Sequence, residues 1–396
     1  MSNPKDFIYI SEMSELADWR PEDIEIQTSI ISNTPLLSRP PLPPPIHPPT
    51  ATPPPIPNLL SCHDYKGGYH PYESARGQFP APFGPIYTAA HLHLIDTFVY
   101  FSHHLVSIPP SPWINTLHRN GVRVLGTFIA EGNAGCTALS RLLDKDSAGE
   151  YVFAMRLALI AETYGFDGWL MRIEASFPGE HLVPGELEAF LKELRSAVRE
   201  LVPGGLVIWY DALTVLNQVD WQDGLTQLNT LFFKATDGLF TNYGWREQEL
   251  RDTRAVANTM NRVPDIYTGI DCFGRGSLGG GGFGVDEALS LIQEAGTSAA
   301  LFAPGWTYEH FGGKAFESID RMLWVGDGSD PESNPMKPIS YFVSKKACGG
   351  PEFFFTNFNR AFGKGWWVNG VVCFTLCARF LTPCHTDIGC LHNRKP

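Results

Sequence analysis

FDGWLMRIE, residues 166–174, decides how the rest of the chain is read. It is an apolar run that ends in two charged residues, Arg172 and Glu174. A strand alternates faces with period 2, so Gly168, Leu170, Arg172 and Glu174 share one side, and Trp169, Met171 and Ile173 share the other. A run that is apolar on both faces belongs to a sheet covered on both sides. An acid and a base on one face of such a strand are costly unless something uses them. In a parallel α/β enzyme the carboxyl ends of strands carry the chemistry.

Seven further apolar runs surround this one, at residues 59–65, 95–102, 122–131, 206–213, 238–245, 266–274 and 299–306. Between them, residues 148–165, 184–201 and 286–296 place apolar side chains at three- and four-residue spacing, which predicts amphipathic helices. Apolar strands alternating with such helices predict an α/β fold with a parallel sheet. Eight units over about 250 residues match a (β/α)8 TIM barrel, with a doubly wound open sheet as the alternative. The run ends favour the barrel. They carry His63 and Asp64, Ser102 to His104, Glu131, Glu174, Tyr210 and Asp211, Asn242 and Tyr243, Asp271, and Trp306. An open sheet concentrates its site at one switch point, whereas a barrel draws on many strand ends.

The flanks read differently. Residues 1–57 form an N-terminal segment and a proline-rich linker, with about half proline from Pro35 to Pro57. The barrel is expected over 58–345. Residues 346–396 read as an incomplete β-rich segment whose tail is truncated or aberrant. Cys373, Cys377, Cys384 and Cys390 lie there with His385 and His392, but no paired CxxC zinc spacing occurs, and no metal is expected.

Bulk properties exclude other classes. A net charge of −12 with no basic stripe argues against a nucleic-acid partner. No apolar run reaches the roughly 18 residues of a membrane span, and the N-terminus lacks the pattern of a secretory signal. Eight cysteines without secretion point to reduced thiols in the cytosol. Aromatic content is 12% with ten Trp, which suits both core packing and stacking on sugar rings. GRGSLG at 274–279 follows the seventh run rather than opening a first βα unit, so it reads as a loop over the barrel mouth, not a nucleotide fingerprint. No cofactor is expected.

One carboxylate dominates the chemistry. Glycoside hydrolysis normally takes a second one, and Asp167 sits at the wrong end of the strand. The exception is substrate assistance, where the sugar's own 2-acetamido oxygen attacks the anomeric carbon. SCHDYKGGY (61–69), IDTFVYFSHHLVSIPP (95–110), WINTLHRNGVRVLGTFI (113–129), FDGWLMRIE, VIWYDAL (207–213), FTNYGW (240–245), YTGIDCFGRG (267–276) and LFAPGWTYE (301–309) carry a specific resemblance. In this order they resemble the cytosolic endo-β-N-acetylglucosaminidases of glycoside hydrolase family 85. The resemblance implies a (β/α)8 barrel followed by β-sandwich modules. It also implies retaining cleavage between the two GlcNAc residues of the N-glycan core. It makes Glu174 the acid/base and Tyr210 the support of the acetamide. Trp221 and Trp245 become aromatic walls, and His63, Asp64, Glu131, Asn242 and Asp271 polar contacts.

One departure matters. The family carries Asn two residues before the acid, where it binds the acetamide N–H; this chain has Arg172. A guanidinium has no acceptor and stays charged, so it cannot receive that N–H. A fixed cation one strand repeat away, ~7 Å, favours the carboxylate form of its neighbour. A general acid must instead hold its proton near neutral pH. The sequence therefore predicts impaired hydrolysis, or a silent glycan-binding or scaffold protein on the same barrel. In the milder alternative, Arg172 swings toward Asp167, Asp211 or another acid and a neighbour replaces the Asn.

Overall fold

In the computed structural model the described residues are 9–24, 31–39, 54–65, 87–179, 184–330, 335–346, 365–368 and 371–375. Eight parallel strands follow one another around a closed barrel. They are β1 (Leu59–Asp64), β2 (Thr97–Phe101), β3 (Arg123–Glu131), β4 (Gly168–Glu174), β5 (Leu206–Tyr210), β6 (Gly238–Phe240), β7 (Ile266–Asp271) and β8 (Ser298–Phe302). Each pairs with the next. The ladder from Ala299↔Leu59 to Phe302↔Cys62 joins β8 to β1 and closes the ring, which excludes the open sheet. All eight apolar runs are strands, and the three expected helices form.

Helices cover the outside. Pro184–Leu201 buries Leu187, Phe190, Leu191, Leu194 and Val198, one stripe at helical spacing. Val152–Tyr164 ends on Gly165, whose φ of 79° is a left-handed cap. A Cβ there would meet the Ser32 carbonyl oxygen at 2.1 Å.

The period-2 reading of β4 holds. Leu170 packs inside the barrel with Leu60, Val99, Leu125, Ile208 and Ala300. Trp169, Met171 and Ile173 pack outside, between sheet and helices. The Trp169 indole N–H donates to the Leu157 carbonyl at 3.0 Å. At the start of the strand Gly168 takes a φ of 124°, and a Cβ would approach the Leu206 carbonyl oxygen to 2.0 Å. Only glycine lets β5 come this close.

The N-terminal segment folds onto the barrel. Tyr9–Ile10 pairs antiparallel with Val106–Ser107, which in turn pairs with β3. Residues 31–39 run along the amino-terminal ends of the strands. There Leu37 N–H donates to the His118 carbonyl at 2.9 Å, and Arg39 donates to the carbonyls of Leu92, Ile95 and Asn120. His118 lies between the Thr34 carbonyl, 2.6 Å from Nδ1, and Asp167 Oδ2, 2.8 Å from Nε2. Ile56 N–H donates to the Phe342 carbonyl at 2.9 Å. The proline-rich run is thus anchored near both ends, and residues 40–53 lie outside the described residues.

Gly365–Val368 and Val371–Thr375 form an antiparallel hairpin. Cys377, Cys384, Cys390, His385 and His392 lie outside the described residues. No helix among the described residues is long and apolar enough to cross a membrane.

Candidate active site

Parallel register sets the centre of the site. It places Glu131 beside Glu174 and Ile129 beside Arg172, at the carboxyl ends of β3 and β4. Arg172 Nη2 lies 3.0 Å from Glu174 Oε1, and both side chains are only 13% exposed. The guanidinium carbon stands 4.6 Å from the Tyr210 ring centroid, 4.9 Å from Phe101 and 5.6 Å from Phe302. A planar, weakly hydrated cation is well suited to such an aromatic box. Arg172 therefore turns to Glu174 itself, not to Asp167 or Asp211.

A line of charge continues along the mouth. His103 sits between Asp64 Oδ2 at 3.8 Å and Glu131 Oε2 at 3.4 Å. The two carboxylates, Asp64 first, outweigh burial and push the imidazole up to about 9, so it is a cation at neutral pH. In return the His103 contact, followed by the Arg172 charge, holds Glu131 below the usual carboxylate range against the effect of burial.

Tyr210 anchors the other side. Its hydroxyl donates to Asn242 Oδ1 at 3.0 Å, and Asn242 Nδ2 donates to Asp223 Oδ1 at 2.7 Å. Gly244 N–H donates to the same oxygen at 2.7 Å. Asp211, fully buried, accepts from Asn229 Nδ2 at 2.9 Å, Gln222 N–H at 3.3 Å and Asn242 N–H at 3.4 Å. Burial pushes its carboxyl up to about 7 despite these donors. The Gln222 bond ties down the loop that carries Trp221.

The sequence-derived candidates separate into groups. Glu174, Arg172, Tyr210, Glu131, Asp64, Asn242 and Asp271 all lie at the mouth. The Asp271 carboxylate is already engaged by Arg275, whose Nε donates at 2.7 Å, and by the backbone N–H groups of Phe273 and Arg275. Trp221 stands on the rim, 47% exposed. Trp245 does not reach the cleft. It is 1% exposed in the outer core, and its indole N–H donates to the Gly269 carbonyl at 2.7 Å. His63 is also outside the barrel, packed on Phe98 and Trp113 with Nε2 2.5 Å from the Tyr87 hydroxyl. Burial pushes it down to about 3, so it stays neutral. Alternation along β1 already separates His63 from Asp64, since neighbours on a strand face opposite ways. Sequence reasoning passed over Phe101, Phe302, Asp223, Arg275 and the bridging role of His103. The inward parity of the two Phe was available; the Asp223 contacts were not, because they depend on loop geometry.

Asp64 Oδ1 and Arg172 Nε are buried with no hydrogen-bond partner among the described residues. Each such atom costs about 1–3 kcal/mol if left alone. Their place inside the mouth fits a hydroxyl-rich guest.

A profile of glycosyl hydrolase family 85 matches residues 72–366. The cytosolic endo-beta-N-acetylglucosaminidase of Gallus gallus is 42% identical over 317 residues, covering 80% of this chain and 41% of that protein. Cytosolic endo-beta-N-acetylglucosaminidase 2 of Arabidopsis thaliana is 45% identical over 270 residues, covering 68% of this chain and 37% of that protein. The chain thus spans about two fifths of the length of these curated relatives. In structure, the glycoside hydrolase domain of Endo-D from Streptococcus pneumoniae R6 shares the fold, with a TM-score of 0.67 and 22% identity over 86% of this chain and 54% of that one. With its motifs in order around a closed barrel, the chain belongs to glycosyl hydrolase family 85.

Proposed function

We propose that residues 58–345 bind the core of N-glycans, free or protein-linked, as an endo-β-N-acetylglucosaminidase does, and cleave it slowly. The relatives' names give the activity and the cytosolic location that we extend to this chain. Glu174 is assigned as the acid/base: it would protonate the leaving GlcNAc oxygen, then activate water against the oxazolinium formed by the acetamide. Tyr210 supports the acetamide, Trp221 stacks on a sugar, and Asp64, Glu131 and Asn242 line the cleft. His63 and Trp245 are assigned to packing. No metal or cofactor takes part in this scheme.

The observation that carries the slow rate is the Arg172–Glu174 contact at 3.0 Å over the Tyr210 ring. The cation lies beside the position assigned to the acetamide and pairs with the carboxylate assigned to deliver a proton, so a reacting sugar must displace it. The same contact supports the second reading, a glycan-binding protein without turnover. Release of high-mannose glycan from a denatured glycoprotein tests both. Slow release that rises in Arg172→Asn supports the enzyme. Glycan binding with no product from either form selects the binding protein. Robust wild-type turnover would sink the impairment.

A further inference from the structure

We propose that the N-terminal strand adds a sugar-stacking subsite to the rim of the mouth, built on Tyr9. The inference rests on the reading of the cleft as a glycan site and extends it to a second position. Among the described residues, the exposed large aromatics are Trp221 at 47%, Tyr9 at 45% and Phe273 at 41%. Single exposed apolar residues are ordinary when scattered over a surface. These three are not scattered. Trp221 follows β5 and Phe273 follows β7, both at the carboxyl end of the barrel. Tyr9 reaches that end by pairing with Ser107, in the connection after β2.

The Tyr9 ring is held as a platform. It lies on the His104 ring at a centroid distance of 3.6 Å and an interplanar angle of 8°. Ile10, fully buried and paired with Val106, pins the backbone beneath it. One face of the ring is therefore covered and fixed while the side chain stays open to solvent. A rigid ring with a free face suits the apolar C–H face of a pyranose, at little cost in side-chain entropy. Next to His104, His103 and Glu131 are 48% and 39% exposed and offer partners for sugar hydroxyls.

Charge and geometry narrow the ligand. Asp64, Glu131, Glu174 and Asp271 at the mouth are matched by His103, Arg172 and Arg275, so no uncommitted charge is left to hold an ionised sugar arm and an uncharged one fits better. Platforms after β2, β5 and β7 lie in different sectors around Glu174, which suits a branched oligosaccharide better than a linear one. The ligand class is a neutral, branched glycan, with Tyr9 under an outer arm. Tyr9 also lies outside residues 72–366, so the platform comes from beyond the stretch matched to the family.

The test is a tryptophan-fluorescence titration of the full chain, read within minutes of mixing. The probes are a full high-mannose glycan with an intact chitobiose core and the same glycan trimmed to its core. Tyr9→Ala should weaken binding of the full glycan about tenfold, the scale of one aromatic stacking contact, and remove the wild-type preference over the trimmed core. Tyr9→Phe should keep both. Equal affinity of Tyr9→Ala and wild type for the full glycan, with Trp221→Ala weakened, would overturn the subsite alone. An equal loss for both glycans would also overturn it, because it would mark a general structural effect. Failure of the wild type to bind either glycan would overturn the glycan reading and the subsite together.

Discussion

Replacing Arg172 by Asn removes a cation 3.0 Å from the Glu174 carboxylate and supplies an acceptor beside the position proposed for the acetamide. At that distance and an effective dielectric of about 20, the bare attraction is ~5 kcal/mol. Desolvation of both groups offsets much of it, leaving ~2–3 kcal/mol as the part a reacting sugar must overcome. That alone is a rate factor of about 100. The regained hydrogen bond from the acetamide N–H contributes ~1 kcal/mol more, another factor of about 5. Arg172→Asn should therefore release glycan a few hundred times faster than wild type, with the gain in kcat, since the restored interactions act on the reacting groups. The assay is single-turnover release from a denatured high-mannose glycoprotein, with kcat and KM measured separately. Arg172→Lys retains a cation and no acceptor, so it should gain nothing. An Asn variant no faster than the Lys variant would refute the block assigned to Arg172.

Other variants probe the frame. Gly168→Ala forces a side chain to within 2.0 Å of the Leu206 carbonyl at a φ of 124°, so the urea midpoint should fall by the equivalent of ~3 kcal/mol or more. Trp245→Ala should cost ~3–5 kcal/mol of stability as a core deletion, whereas Trp221→Ala should change stability by only ~0.5 kcal/mol and instead weaken glycan binding; thermal melts and titrations separate the two. For His118, burial opposes the charge, but the bond and charge of Asp167 and the Thr34 carbonyl outweigh it and raise the pKa above the ordinary 6.5. A raised folded-state value gives stability that is complete below pH 6.5 and lost as pH rises through the folded value. Protection of the residue 31–39 amides, taken relative to their intrinsic base-catalysed exchange rate, should fall on that rise, and His118→Gln should abolish that fall.

The barrel was legible because each strand is a short apolar run with a polar end, and such a run has few other places to go. The inward face of β4 followed from alternation alone. The same rule, applied to β1, would have set His63 apart from Asp64. Trp245 was harder to place: family position pointed to the cleft, but its indole N–H is satisfied by Gly269, a contact set by how β7 passes β6. The Arg172–Glu174 pair was foreseen as proximity. The aromatic box was not, because Phe101, Tyr210 and Phe302 come from three strands that meet only when the barrel closes. The N-terminal strand escaped notice too, since two residues are too few to show a period.

The Asp223–Asn242–Tyr210 chain fixes the direction of a proton. Asp223 Oδ1 receives two N–H donors, so the Asn242 amide must turn its nitrogen toward Asp223 and its oxygen toward Tyr210. The tyrosine hydrogen is then committed to Asn242. What Tyr210 offers the cavity is oxygen lone pairs. It has no hydrogen left for a bound sugar's carbonyl. The site is thus polarised in one sense by Asp223, which stands one residue removed from Tyr210, and exchanging the donor and acceptor ends of Asn242 would reverse what the cleft can recognise.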